Sequence, residues 1–135
     1  MEVFRLGERP ARLGEEGYFQ GTVMIRPIVM TPAPAKLRAM LVTFAPGGRT
    51  HWHSHELGQT LHVTEGIGRV QAEGGPLRVI RAGDTVWIPP GEKHWHGAAP
   101  DHPMTHMAMQ ESPDGKETHW LEGVSEADYN ASPVE

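Results

Sequence analysis

The sequence of 135 residues contains no cysteine. This excludes disulfide bonds, thiolate metal sites and a cysteine nucleophile. A chain without disulfide bonds is typical of a reducing compartment, and we expect a cytoplasmic protein.

The sequence also lacks long apolar runs and basic blocks. No stretch reaches the roughly 20 residues that a transmembrane helix needs, and the first residues lack the apolar centre of a signal peptide. The net charge is −5 with neutral histidines, and the charges are spread along the chain. We therefore expect neither a membrane nor a nucleic acid as a partner.

Glycine and proline, in contrast, are frequent, with 16 and 12 residues. Turn signals recur about every 8 to 12 residues between short apolar stretches, which predicts an all-β antiparallel sandwich or barrel. The length favours a single domain, 1–135, with an N-terminal arm over 1–21 and a barrel core over 37–111. One short helix is predicted near the C-terminus, with Ser125 as N-cap and Asp128 at the third helical position.

The clearest strand prediction is Leu37–Phe44, which is apolar on both of its alternating faces. Such a strand must be covered on both faces, and we expect a second subunit to provide one cover, in a homodimer or homotetramer. Residues 21–30 predict a strand with an edge or a bend at Pro27. Residues 49–56 predict one strand, and residues 57–66 predict a strand that ends in a turn.

Nine histidines are many for this length, and several of them alternate along predicted strands. Side chains at i and i+2 of a strand share a face, so His53 and His55 can grip one ion, with His51 on the same face. Gln59 follows a glycine bend and can turn back toward that ion. These residues predict a metal site.

A second His-x-His pair supplies further nitrogen atoms. His94 follows a Pro-Pro-Gly turn, and His96 shares its strand face, so we expect His96 to enter the same cavity. The stretch M-T-H-M-A-M-Q places His106, Ala108 and Gln110 on one face of another predicted strand. Imidazoles beside a metal ion can act as acid and base near neutral pH.

These residues fall into two spaced motifs. The pattern G-x5-H-x-H-x3,4-E-x6-G is occupied by Gly47, His53, His55 and Gly66, and G-x5-P-x-G-x2-H-x3-N by Gly83, Pro89, Gly91 and His94. The chain thus resembles the cupin family, which implies a small antiparallel β-barrel, or jelly roll, with a metal ion inside. Position by position, the resemblance implies that the metal ligands are His53, His55, Gln59 and His94.

Two positions depart from the cupin motifs: Ala98 replaces the final Asn, and Gln59 replaces the usual Glu. Three imidazoles and a carboxylate leave a divalent ion with a net charge of about +1, whereas three imidazoles and an amide leave about +2. The neutral ligand set favours Lewis acidity and disfavours a trivalent state, which counts against redox chemistry with oxygen.

Over nearly its whole length the chain is similar to the manganese-dependent hydroxynitrile lyases of the cupin group. The similarity includes H-x-H-x3-Q, P-G-E-K-H-W-H-G-A-A, M-T-H before a Q-E pair, the opening at 17–23 and the segment Asp114–Trp120. It implies Mn(II) and the cleavage of a cyanohydrin to an aldehyde and HCN, or its formation. It also implies that His96 and His106 transfer protons. Fe(II), Ni(II), Co(II) and Zn(II) also suit such ligands.

The predicted pocket residues lie on strands beside the motifs. They are Met40, Val42, Phe44, Ala108 and Gln110, with His51 at the cavity mouth or beside a ligand. Trp52, Trp87 and Trp95 are predicted to pack in the barrel or an interface rather than against a small-molecule substrate. Two other functions remain open: an iron or manganese dioxygenase, and a metal- or ligand-binding protein without catalysis.

Overall fold

The computed structural model describes residues 1–113 and 118–135, which form two antiparallel sheets curled around a common interior. The described strands are β1 (Arg12–Leu13), β2 (Phe19–Gln20), β3 (Val23–Met30), β4 (Leu37–Phe44), β5 (Arg49–Thr50), β6 (His53–Ser54), β7 (Gln59–Ala72), β8 (Arg78–Arg81), β9 (Thr85–Ile88), β10 (His94–Ala98), β11 (Met104–Glu111) and β12 (His119–Trp120). They are accompanied by a 3₁₀ turn, Leu6–Glu8, and one short helix, α1 (Glu126–Tyr129). The all-β prediction with one short C-terminal helix is confirmed.

Strand β7 belongs to both sheets. Its first half pairs with β9 and β11, and its second half pairs with β8 and β10. At the corner, Gly66 has a φ of 80°, and a Cβ atom there would lie 2.0 Å from the carbonyl oxygen of Pro103. A side chain at this corner would therefore clash with the backbone. The turn predicted at the end of 57–66 is wrong, because the chain bends within one continuous strand instead of reversing.

The strand predicted over 49–56 is also interrupted. The backbone amide of His51 donates to the carbonyl of Tyr18 at 2.8 Å, and that of Trp52 donates to the carbonyl of Glu122 at 2.9 Å. These bonds to the N-terminal and C-terminal segments separate β5 from β6. The strict alternation of faces expected through His51, His53 and His55 is therefore broken after His51.

The N-terminal arm predicted over 1–21 is only partly extended. Its strand β1 pairs with β3, and its strand β2 pairs with β5. The bend predicted at Pro27 is confirmed, since the register of β3 against β4 shifts between Pro27 and Val29. The arm thus contributes edge strands to both sheets.

The interior between the sheets is apolar at one end. It is filled by Val23, Ile25, Val42, Phe44, Leu61, Val63, Val70, Ile80, Ile88, Ala98, Met104 and Ala108. The predicted strand Leu37–Phe44 is confirmed, and its buried residues include Val42 and Phe44, whereas Thr43 is exposed in the single chain. The subunit predicted to cover the outer face of this strand remains a prediction.

The C-terminal segment closes the outside of the second sheet. The Ser125 side chain accepts a hydrogen bond from the backbone amide of Asp128 at 3.1 Å, which confirms the predicted N-cap. The Tyr129 hydroxyl donates to the carbonyl of Ala98 at 2.6 Å. In the described ranges, no helix is long and apolar enough to span a membrane.

Candidate metal centre

Three buried histidines meet inside the barrel. The candidate ligand atoms of His53, His94 and His96 all lie within 4.8 Å of one another. His53 on β6 stands directly opposite His94 on β10, and His96 follows two residues later on the same strand. Strand pairing thus brings the two His-x-His pairs together, as the sequence predicted, and this group could hold a transition-metal ion.

Backbone carbonyls fix the tautomers of two of these rings. His53 Nδ1 and His94 Nδ1 each lie 2.9 Å from a carbonyl oxygen, of His51 and Glu92 respectively. A carbonyl oxygen only accepts hydrogen bonds, so each Nδ1 carries the proton and each Nε2 keeps a lone pair. Among the described residues, the buried Nε2 of His94 has no hydrogen-bond partner. Both rings therefore present the nitrogen that a metal ion requires.

The other two predicted ligands lie around this group. The Gln59 amide donates from Nε2 to Gln110 Oε1 at 3.1 Å, and its own buried Oε1 has no partner in the described part of the chain. His55 has its ring centroid 5.1 Å from that of His53, and its Nδ1 lies 3.3 Å from Thr118 Oγ1. An amide oxygen and imidazole nitrogens suit a divalent first-row metal. The donor set therefore fits such an ion.

A pair of histidines spans the interior beside this group. His106 Nε2 on β11 lies 2.9 Å from His96 Nδ1 on β10, and both rings are buried. Their outer nitrogens, His106 Nδ1 and His96 Nε2, have no hydrogen-bond partner within residues 1–113 and 118–135. The Phe44 ring lies against both rings, with centroids 5.3 Å from His106 and 6.0 Å from His96. The pair is thus held by packing and by one shared hydrogen bond.

A cavity of about 200 Å³ opens onto these polar groups. Its polar floor includes His53, His55, Gln59, His96 and His106. The rest of its lining is mainly apolar and aromatic, namely Tyr18, Phe19, Ile25, Met40, Val42, Ala108 and Trp120. Thr50, Gln110 and Thr118 add polar groups, and Arg12 and Glu15 add charged ones. The arrangement suits a small molecule with one polar reacting group and one apolar group.

Comparison with known proteins agrees with this architecture. The family model described as Cupin domain matches residues 40–109. The chain belongs to the cupin family. A cupin-like protein from Thermotoga maritima is 36% identical and superposes with a TM-score of 0.87, over 98% of each chain. The polyketide cyclase RemF from Streptomyces resistomycificus is 21% identical, with a TM-score of 0.70 over 96% of this cupin and 90% of that chain, and shows the fold alone.

A further relative of this cupin carries an activity in its name. An (R)-mandelonitrile lyase from Granulicella tundricola is 51% identical over 129 residues, which cover 96% of this chain and 98% of that protein. The predicted resemblance to the cupin hydroxynitrile lyases is therefore confirmed at the level of the family.

The six predicted pocket residues lie at different places relative to the cavity. Met40, Val42, Ala108 and Gln110 line the cavity. Phe44 is fully buried beneath the His96–His106 pair, so it supports the cavity from behind. His51 contacts the site through its backbone carbonyl, which lies 2.9 Å from His53 Nδ1.

Two of the three tryptophans predicted to pack lie in a second apolar cluster of the cupin barrel. Trp52 and Trp95 are buried there together with Leu77, Val124 and Tyr129. Trp87, on β9, is 60% exposed. Its predicted place in an interface remains a prediction.

Sequence reasoning missed eight residues that line the cavity, namely Arg12, Glu15, Tyr18, Phe19, Ile25, Thr50, Thr118 and Trp120. Trp120 lies 4.8 Å from the His53 ring, centroid to centroid, and stacks on Tyr18 at 4.6 Å. It reaches the site because β12 pairs with β6, which sets Trp120 opposite His53. Thr118 lies two residues earlier, beside His55. Of the segment Asp114–Trp120 that carries part of the resemblance, residues 114–117 lie outside the described part.

Burial keeps the histidines of this centre neutral. It lowers the pKa of His106 and the pKa of His94 to about 4 each. Burial, with smaller contributions from neighbouring imidazoles, also lowers the pKa of His53 and His96 well below the usual value. Neutral imidazoles at pH 7 are the form that both metal binding and base catalysis require.

The metal-free protein is expected to lose stability in mild acid. His106 has a pKa of about 4 when folded and about 6.5 when unfolded, so the unfolded chain binds more protons between these values. The free energy of unfolding therefore falls as the pH drops from about 6.5 to about 4, by up to about 3 kcal/mol for this group. Thermal melting at pH 7, 5.5 and 4.5 measures this slope. A His106→Gln variant should show a shallower slope, and equal slopes would contradict the assignment.

Proposed function

We propose that this cupin is a metal-dependent lyase that cleaves cyanohydrins to an aldehyde and HCN, or forms them. The observation that carries the proposal is the buried His96–His106 pair beside the candidate metal centre, in a cavity with apolar walls. The similarity to an (R)-mandelonitrile lyase over nearly the whole chain supports the same reaction class. The cofactor proposed is Mn(II).

The proposed metal ligands are His53, His55, Gln59 and His94. When bound, a divalent ion would supply Lewis acidity that polarises the substrate oxygen. The lone pairs of His53 Nε2 and His94 Nε2 and the buried Oε1 of Gln59 support this assignment. His96 belongs to the same group of nitrogens. We assign it to proton transfer because its Nδ1 is bonded to another imidazole, that of His106, through which a proton can pass.

The His96–His106 pair always offers one acid and one base. Two neutral imidazoles carry two protons, and one of them lies in the bond between His106 Nε2 and His96 Nδ1. The other proton sits on either His96 Nε2 or His106 Nδ1, so one outer nitrogen donates while the other accepts. The pair thus contains both proton-transfer groups that a lyase needs.

Protons and electrons balance when this histidine pair cleaves a cyanohydrin. The accepting nitrogen takes the hydroxyl proton, the carbon–carbon bond to the nitrile breaks, and the electron pair leaves on the cyanide carbon. The donating nitrogen gives its proton to cyanide, and the shared proton crosses the hydrogen bond, which leaves both rings neutral. The lowered pKa of each ring keeps the charged forms unfavourable. Aldehyde and HCN are the products.

Turnover of racemic mandelonitrile tests the function. We expect release of benzaldehyde and cyanide that depends on added Mn(II) and does not consume oxygen. Oxygen consumption with a flavonol or a diketone, without cyanide release, would support a dioxygenase and contradict the proposal. Stoichiometric metal binding without turnover of either substrate type would support a binding protein instead.

A Gln59→Glu variant is expected to keep its metal ion but to cleave cyanohydrins more slowly. A carboxylate lowers the net charge of the centre by one, so the ion polarises the substrate oxygen less. Metal content and kcat measured together check this expectation. A variant as fast as the wild type would show that the neutral ligand is not needed.

A further inference from the structure

Gln59 can ligate a metal ion only when its side-chain amide is turned with the oxygen toward that ion. Its amide ends in an oxygen with lone pairs on one side and an NH₂ group that only donates on the other. The oxygen can ligate a metal ion, whereas the NH₂ group cannot. The buried Oε1 of Gln59 has no partner among the residues that the structure describes, and its Nε2 donates to Gln110.

Gln110 stands opposite Gln59 across two neighbouring strands. The register of β11 on β7 pairs Met109 with Thr60, and continuing it by one residue places Gln110 against Gln59. Gln110 Oε1 accepts the bond from Gln59 Nε2 at 3.1 Å, and both side chains are buried. A buried acceptor facing the amide nitrogen penalises the flipped orientation, in which two carbonyl oxygens would face each other.

We propose that Gln110 is a positioning residue that holds the Gln59 amide with its oxygen toward the metal centre. This inference rests on the proposed metal site, but it does not require that the cupin cleave cyanohydrins. An amide ligand in place of a carboxylate creates the need for such a partner. Either oxygen of a carboxylate would serve equally, whereas only one end of an amide does.

Titration calorimetry of Mn(II) into the metal-free protein tests the inference. Gln110→Met keeps the length and approximate volume of the side chain and removes the oxygen acceptor. We expect it to weaken Mn(II) binding by about 10- to 100-fold, the usual cost of losing a partner that orients a ligand. Gln71→Met is the matched control, since it removes the acceptor of Trp95 Nε1 at 3.0 Å instead, and it should leave the affinity unchanged.

The same substitution in a Gln59→Glu background separates positioning from packing. There Gln110→Met should cost no more than about threefold in Mn(II) affinity, because a carboxylate needs no orientation. An equal loss in both backgrounds, or unchanged affinity in Gln110→Met alone, would overturn the inference. Failure of the wild-type protein to bind Mn(II) would instead overturn the proposed metal site. Binding without cyanohydrin turnover would leave the positioning result intact and contradict only the lyase reaction.

Discussion

The His106→Gln variant is expected to keep one metal ion per chain and to cleave mandelonitrile about 10² to 10⁴ times more slowly, the usual range for losing an acid–base group. His106 sits on β11, and its ring bonds to His96 rather than to His53 or His94. Glutamine fills much of the volume against Phe44, so the substitution removes the titrating ring with little collapse of the barrel. Steady-state kcat and metal analysis of the same sample check both parts.

A His96→Gln variant distinguishes a proton-transfer residue from a metal ligand, because His96 lies within the group of three close histidines. As a proton-transfer residue it should match His106→Gln, with metal retained and kcat reduced to a similar degree. The double variant should then be no worse than either single variant, since the two rings act as one unit. Loss of the metal ion in His96→Gln would instead make His96 a ligand and contradict its assignment to proton transfer.

The His53→Ala variant is expected to lose metal binding. The His53 ring is closest to the centre of the group, with centroids 4.2 Å from His94, 5.1 Å from His55 and 5.2 Å from His96. Loss of a residue that hydrogen-bonds to a metal ligand lowers metal affinity by about 10- to 100-fold. Loss of the ligand itself should therefore lower the affinity by more than about 100-fold. Added Mn(II) should raise the melting temperature of the wild-type protein but not that of His53→Ala.

His62→Ala provides the matched control for this variant. His62 is also a strand histidine, but its Nδ1 bonds to Thr85 Oγ1 at 2.9 Å in an exposed position. It should therefore bind Mn(II) as the wild type does. Equal affinity in His53→Ala and the wild type would show that the metal ion, if bound, lies elsewhere.

The fold could be predicted where local pattern decides it. Alternating apolar residues placed strand β4 over Leu37–Phe44, and the cap at Ser125 placed the short helix. The break within 49–56 and the continuous strand through Gly66 could not be predicted, because long-range bonds cause both. The amides of His51 and Trp52 bond to distant segments, and Gly66 bends against Pro103.

The part of the site that is determined by the spacing of the two histidine motifs could be predicted from the sequence. The two motifs placed the histidine pairs on strands that the barrel brings opposite each other, with His53 facing His94. Trp120 and Thr118 lie far along the chain and reach the cavity only through the pairing of β12 with β6. No periodic signal in a two-residue strand predicts its partner, so these contacts required the structure.

Gln59 sets the net charge of the candidate metal centre. The amide leaves a divalent ion more positive than a carboxylate would, which favours polarising a substrate oxygen over passing electrons to oxygen gas. The buried, neutral His96–His106 pair supplies both an acid and a base beside that centre. Together these features connect the proposed metal ion with the proposed proton transfers in one reaction.

The most direct test of this account is the rate of cyanide release from mandelonitrile as metal-free protein is titrated with Mn(II). We predict that the rate rises in proportion to added metal and levels off at one equivalent per chain. The His106→Gln variant should bind the same equivalent and remain slow throughout. A rate that does not depend on Mn(II), or a saturated protein that releases no cyanide, would contradict the account.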